Sequence, residues 1–375
     1  MEFSIPLAQL TKQIQQLSSI CPNDSNKTGD IIQNILFVVE KDRLIMRATD
    51  YSIECSCELP VSDVVSTGAA AINAVKLVSS CHHLNVNSPI KFKLDEENQS
   101  LTITSDNCSY KVRARSKAEF PDFPFDDVEQ KVSVKQKVLK EIIDKSIFCI
   151  ASDDFREYLR GLRIEINGAD LTVFASDSHR MAIVETKLDT PVKEPVGVTI
   201  NKKFAHELSK ILNNSDDLVE LNFSRGKVGV KCNNYTVISN LIVCTYPNVR
   251  SIIPKQIKET IDFPTQDLKS MVSRVSVLSS KRVNGVTFNF DSNKLNLHAE
   301  NTDHETASDL LSINYAGKPF DITLNAVYVN DILGAINTEN VSLNFPNDYS
   351  SALLAPASSD DSEVKPRYLI SRIIV

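Results

Sequence analysis

The chain has 375 residues, 42% of them hydrophobic and 24% charged, an ordinary composition for a soluble globular protein of two or three domains. No run of about 18 apolar residues occurs, so no membrane-spanning helix is expected. The net charge of −7 argues against nucleic acid only if that charge is evenly spread.

The start, MEFSIPLAQLTKQIQQL, lacks the basic head, apolar stretch and small-residue cleavage site of a signal peptide, and a cytoplasmic location is expected. It reads instead as a short strand running into a helix, with Leu7, Leu10, Ile14 and Leu17 at helical spacing. The same pattern returns in VSVKQKVLKEIIDKS from Val132 and IDFPTQDLKSMVSRV from Ile261, offset by 129 residues each time, with Leu10, Leu139 and Leu268 in register. After each copy come three strand-like stretches separated by turn residues, then a second helix at 72–84, 201–212 and 325–337, then more strands. FPDFP (120–124) and YPNVR (246–250) close the first two copies. The expected fold is therefore α+β: three tandem similar domains at 1–126, 127–254 and 255–375, each two β-α-βββ units, with helices on one face of antiparallel sheets. The eight cysteines form no CxxC and are expected as free thiols packed as small apolar residues.

Charge is segregated. The six predicted helices hold 13 Lys/Arg and 5 Asp/Glu, a net +8, which leaves −15 for the rest of the chain. Any one basic helix face is explained by solvation alone. Five of six sharing the sign point to phosphate contacts without base reading, through Lys12, Lys76, Lys137, Lys140, Lys202, Lys203, Lys210 and Arg274. The last helix, with only Asp331, departs from the pattern.

The stretch ASDSHRMAIV (175–184) gathers Asp177, His179 and Arg180 and raises the question of catalysis. No GxSxG or GxxxxGK[ST] is present, and Asp177 and His179 have no evident third member. His82-His83 and Asp303-His304-Glu305 have no metal-site spacing. Asp153-Asp154 and Asp216-Asp217 read as turn residues rather than a metal-dependent nuclease site. No catalysis, cofactor or metal is expected. Ala175-Ser176-Asp177 matches Ala48-Thr49-Asp50 and, more loosely, Ala299-Glu300-Asn301 in the other copies, which points to a turn in which Asp accepts backbone hydrogen bonds. His179, Arg180 and Met181 have no such counterparts, so something specific to the second copy needs them.

The three repeats together with KAEFPDFP (117–124), FREYLRGLRIEI (155–166), FASDSHRMAIVE (174–185), YPNVRSIIP (246–254) and NAVYVNDILGAI (325–336) resemble the bacterial DNA polymerase III beta subunit, the sliding clamp family, over essentially the whole chain. The resemblance implies a head-to-tail homodimeric ring around duplex DNA, with helices lining the interior and sheets outside. The ring would tether the replicative polymerase α subunit, the clamp loader, repair polymerases and ligase through short peptide motifs. Carried over by position, the peptide pocket comprises Leu159, Ser176, His179, Arg180, Met181, Pro247, Ile252, Asn325, Tyr328, Tyr349, Ser351, Leu369 and Ser371, with Arg180 and His179 shaping its rim. The family often has Leu at the position of Met181, Arg at Ser251 and Met at Ser371. Lys27, Arg156 and Tyr158 fall on loops that face DNA in the family. Tyr110 and Val112 would meet Val277 and Leu278 across the dimer seam. Two rivals stand beside this reading: a non-ring scaffold protein built from the same repeats, and a DNA-processing enzyme with an unrecognised site.

Overall fold

The computed structural model describes residues 1–22, 30–357 and 362–374. Its elements follow the repeat. The first copy runs β1 (Glu2–Pro6), α1 (Leu7–Ser18), β2 (Asn34–Val39), β3 (Arg43–Thr49), β4 (Ile53–Pro60), a short β5 (Asp63–Ser66), β6 (Gly68–Asn73), α2 (Ala74–His82), β7 (Pro89–Asp95), β8 (Ser100–Ser105) and β9 (Cys108–Arg115). The second runs β10 (Gln130–Lys135), α3 (Gln136–Asp144), β11 (Gly161–Asn167), β12 (Asp170–Ser176), β13 (Arg180–Lys187), β14 (Val196–Asn201), α4 (Lys202–Ile211), β15 (Leu218–Ser224), β16 (Lys227–Cys232) and β17 (Tyr235–Asn240). The third runs β18 (Ile257–Pro264), α5 (Thr265–Val275), β19 (Gly285–Asp291), β20 (Lys294–Glu300), β21 (Thr306–Ser312), β22 (Phe320–Asn325), α6 (Ala326–Ala335), β23 (Asn340–Pro346), β24 (Ser351–Pro356) and β25 (Lys365–Ser371).

Local chemistry explains the repetition. The turn after β3, β12 and β20 is built three times by one side chain. Asp50 Oδ1 accepts from the amides of Ser52 and Ile53, both at 2.9 Å. Asp177 Oδ1 accepts from His179 (3.0 Å) and Arg180 (2.9 Å), and Asn301 Oδ1 from Asp303 (2.9 Å) and Glu305 (3.0 Å). Each turn holds one residue at positive φ: Tyr51, Ser178 and His304. The second helix of each copy starts behind an asparagine whose carbonyl accepts an early helix amide, at Asn73, Asn201 and Asn325, the usual N-cap bond. The helices bury one stripe each, such as Leu7, Leu10, Ile14 and Leu17 on α1 and Leu268, Met271, Val272 and Val275 on α5. Each such aliphatic side chain contributes about 1.5–3 kcal/mol of burial.

Strand pairing departs from a simple reading of two separate β-α-βββ units. The strand before one helix joins the three strands after the other: β1 lies against β7–β9, and β6 against β2–β4. The same exchange gives β10 with β15–β17, β14 with β11–β13, β18 with β23–β25 and β22 with β19–β21. Periodicity reports which face of a strand is buried and carries no information on which strand lies beside it, so this exchange is invisible in the sequence.

The chain divides into two compact units, Met1–Lys135 with His206–Leu241 and Gln136–Ala205 with Ile242–Val375. In the first, β17 pairs antiparallel with β4, so a 13-stranded sheet runs through parts of two repeats. In the second, β13 pairs antiparallel with β25 in an eight-stranded sheet, and β19–β22 form a separate four-stranded one. The central repeat is thus shared between the two units because each of its sheets continues into a neighbouring repeat. The FPDFP linker is fastened to the first unit. Phe120 packs with Ile31, Ile32, Leu36 and Ala71, and Lys227 Nζ donates to the Pro124 carbonyl at 2.6 Å. A Cβ on Gly229 would lie 2.5 Å from the Phe125 ring, so glycine there makes the seat for that ring.

All eight cysteines are free. Burial pushes the thiols of Cys57, Cys81 and Cys149 up to about 12, which leaves them protonated and unreactive. No helix among the described residues is long and apolar enough to cross a membrane.

Candidate functional site

The cluster that opened the question of catalysis is a turn with a hub attached. Asp177, besides capping the turn, accepts from Arg180 Nε at 3.0 Å. Arg180 Nη1 donates to Asp331 on α6 at 2.6 Å, and Nη2 to the Phe148 carbonyl at 2.7 Å. The guanidinium carbon lies 4.4 Å from the centre of the Tyr328 ring and 5.4 Å from that of Phe148. With 10% of its side chain exposed, Arg180 is packed inward and does not shape a rim. His179 is exposed and its ring stacks against Tyr328 at 6.3 Å.

Around this hub the strands gather most of the expected pocket. Ser176 pairs with Met181 across β12–β13, Met181 with Leu369 across β13–β25, and Ser351 with Ser371 across β24–β25. The Ser371 amide donates to the His179 carbonyl at 2.9 Å. Met181 (1% exposed) packs with Phe174, Ile183, Leu353 and Leu369, and Tyr246, Val249 and Ile253 of the linker pack onto that group. Leu159 is buried beside the turn that carries Tyr158, whose ring meets Tyr246 edge-on at 6.1 Å. Pro247 accepts the Val249 amide, and Ile252 is 58% exposed. Asn325 caps α6 and so fixes Tyr328. The result is an apolar floor with a partly polar margin on the second unit. Tyr349 goes elsewhere: its ring stacks on Phe320 at 4.3 Å, and its hydroxyl accepts from Lys258 Nζ at 3.0 Å. Sequence reasoning missed Phe148, Phe174, Tyr246 and Asp331. Tyr246, Phe174 and Asp331 each stand in a motif already singled out, YPNVR, FASDSHRMAIVE and NAVYVNDILGAI; Phe148 stands in none.

A separate cleft of about 990 Å³ is lined by Arg163, Glu165, Lys187, Asp170 and Arg250 among others, and by none of the expected pocket residues. Two ion pairs form between its lining residues, Arg250 with Glu165 at 2.8 Å and Lys187 with Asp170 at 3.2 Å. Among the described residues no group of three His, Cys, Asp or Glu side chains is placed to hold a metal ion.

The basic side chains divide. Lys12 on α1 and Lys76 on α2 are exposed, while Lys137, Lys140 and Lys203 are half-buried. Lys140 meets Asp144 at 3.3 Å and Lys210 meets Glu207 at 2.9 Å. Three more expected DNA contacts are engaged within the protein. Arg156 grips Asp154 through Nε (2.9 Å) and Nη2 (2.8 Å), and this bond holds the Asp154 carboxyl down to about 2. Lys202 Nζ donates to the Ile150 carbonyl at 3.1 Å; burial, and then the neighbouring Arg180 charge, lower its pKa. Arg274 donates twice to Asp309 on β21, at 2.8 and 2.5 Å. These side chains satisfy protein acceptors that helical charge counting does not see. Tyr158 is half-buried against Tyr246, and Lys27 lies outside the described residues.

Two strand edges remain. β9 pairs with β8 over Cys108–Arg113 and with β6 only at Ala114 and Arg115, and Tyr110 and Val112 on it are half-buried. β21 pairs only with β20 among the described residues. Beside β21 sit Leu278, half-buried, and Val277, which is 77% exposed and therefore not a core residue.

Strand, helix and three strands, repeated six times and joined sheet to sheet, define a three-domain clamp-type fold. Family models for the DNA polymerase III beta subunit match the N-terminal domain at 1–124, the central domain at 133–248 and the C-terminal domain at 250–367. The beta sliding clamp of Vibrio cholerae is 27% identical over 362 residues, 96% of this chain and 98% of that protein, and that of Escherichia coli K12 is 25% identical over 96% and 98%. The solved DnaN sliding clamp of Pseudomonas aeruginosa bound to griselimycin superposes with a TM-score of 0.92 at 25% identity, covering all of both chains. The chain belongs to the DNA polymerase III beta subunit family. Its function is that of a DNA sliding clamp, an accessory processivity subunit that is not itself catalytic, and neither the scaffold reading nor the enzyme reading is favoured.

Proposed function

We propose that two copies of this chain close head to tail around duplex DNA, without regard to base sequence, and hold the replicative polymerase there. The observation that carries this is an incomplete set of strand pairs. β17 lies against β4 and β25 against β13. Each joint sets the last strand of one repeat against the last strand in the first half of another. The third pair of that kind is β9 and β21, whose outer edges carry no strand over residues 108–113 and 306–312 among the described residues. A second copy supplies the partner of each, so neither of these two edges stays open in the dimer.

In this reading the missing joint takes its register from the existing ones. Ile53 and Arg180 occupy the same place in their turns and pair with Ser239 and Ile370. The two-residue hairpins before β17 and β9 align Tyr235 with Cys108, hence Ser239 with Val112. Glu305 takes the place of Arg180 in the third turn. Val112 of one copy then faces the partner's Glu305, Tyr110 faces the partner's Ala307, and Ser109 faces the partner's Ser308. Lys111 and Arg113 approach the acidic turn that holds Asp303 and Glu305, which favours heterologous pairing. Val277 and Leu278 flank the seam. The variant Ser109→Cys with Ser308→Cys tests this. Directly opposed strand residues are within disulfide reach, so mild oxidation should give a covalent dimer, and each single variant should not. A doubly substituted protein that stays monomeric on oxidation refutes the register.

In this reading the three domains are 1–126, 127–254 and 255–375, with helices toward DNA and sheets outward. Lys12 and Lys76 are the foremost phosphate contacts, with Lys137, Lys140, Lys203 and Lys210 contributing and Lys27 on a nearby loop. The floor of Met181, Leu369 and Leu159, with Ser176, Ser351, Ser371, Pro247, Ile252, His179, Asn325 and Tyr328 around it, takes short peptide motifs of the polymerase α subunit, clamp loader, repair polymerases and ligase. Buried apolar anchors with a few polar fixers are what such capture requires. The work is done in the cytoplasm.

A further inference from the structure

Arg180 adjoins Met181 in the floor of the proposed pocket, yet its charge is already spoken for. A guanidinium carries one positive charge and five N–H donors. Here it faces two carboxylates, Asp177 at 3.0 Å and Asp331 at 2.6 Å, and a carbonyl at 2.7 Å. Lys202, whose ammonium bonds the Ile150 carbonyl, is the second cation of the cluster. The other titratable groups against Arg180 stay neutral: burial pushes the Cys149 thiol up to about 12 and raises the Tyr328 phenol. Two cations and two anions cancel. Asp177 has a local reason to be there, since it caps the turn. Asp331 has none. It comes from α6, 151 positions along the chain, with 40% of its side chain exposed, on the helix that carries Tyr328.

We propose that Asp331 determines the charge specificity of the partner pocket: by cancelling Arg180 it makes that side chain a neutral wall, so a bound segment is held by its apolar side chains and gains nothing from a carboxylate. This rests on the pocket reading above. Remove the Asp331 charge and the cluster becomes net positive in a largely buried setting, where an unmatched cation attracts an incoming carboxylate more strongly than at an open surface.

The test uses the intact protein and fluorescence anisotropy. Short fluorescein-labelled peptides tiling the replicative polymerase α subunit identify the tightest binder, which is then remade as Gln and Glu versions at each position. Wild type should bind each Gln/Glu pair within about twofold. Asp331→Asn should favour Glu at one or two positions by about 3–10-fold, an effect that shrinks as salt screens it, and Asp331→Ala should move the ratio in the same direction. Ile252→Asp, on an exposed side chain, should weaken every peptide. Unchanged ratios in both Asp331 variants, with Ile252→Asp still weakening binding, overturn the proposal alone. A wild-type protein that already prefers Glu by more than threefold also overturns it. Binding unaffected by Ile252→Asp overturns the pocket reading and the proposal with it.

Discussion

Glu207 on α4 accepts a 2.7 Å hydrogen bond from the side-chain amide of Gln16 on α1. The same carboxylate, 3% exposed, also takes Ser19 Oγ at 2.7 Å and Lys210 Nζ at 2.9 Å. A charge this buried is tolerated because three donors replace its water.

Glu207→Ala strands those donors. It should cost about 2–4 kcal/mol, since each hydrogen bond to a buried charge contributes about 1.5–3 kcal/mol and the vacated partners lose theirs. Denaturant unfolding measures this, and Glu207→Gln, which keeps the shape and an acceptor, should cost less. Equal stability in all three proteins would mean that water replaces the carboxylate without penalty.

The helical lysines divide by engagement. Lys12→Ala with Lys76→Ala should lower the steepness with which DNA association falls with salt, by about one unit of log–log slope for each phosphate no longer neutralised. Arg156→Ala should leave that slope unchanged, because Asp154 already holds the guanidinium. A flatter slope for Arg156→Ala and none for the double variant would reverse the assignment.

The Asp154–Arg156 pair has a pH signature. Asp154 titrates at about 2 in the folded chain, below the ordinary value of about 3.9. A depressed carboxyl favours the folded state above the unfolded value, and the contribution disappears as pH falls through about 2. Carboxyl NMR titration should find the low value in wild type and a return toward 3.9 in Arg156→Gln.

Repeats made much of the fold legible. Leu10, Leu139 and Leu268 in register, and an Asp or Asn at each turn, followed from a period and from turn chemistry, both local properties of sequence. The sheet exchange, such as β1 with β7, was not legible, because side-chain alternation does not say which strand is the neighbour. Of the residues expected at a pocket, Ser176, Met181 and Leu369 lie side by side across β12, β13 and β25. Asp331 was passed over as the lone charge on an apolar helix, although it completes Arg180 from 151 positions away. Tyr349 was placed by position in a chain whose β23–β24 turn sends its ring toward Phe320. Lys202 was counted as a free cation on its helix and Arg156 was carried over from the resemblance as a loop contact, because a sequence lists charges and not their partners.

The most direct test of the account is topological. The protein is loaded by a clamp loader onto nicked circular DNA, the complex is isolated in high salt, and the circle is then cut once. A ring closed at β9 and β21 should survive the salt on the intact circle and slide off once the DNA is linear. Release by the salt wash alone would mean that the chain holds DNA by charge, and ring closure would be contradicted.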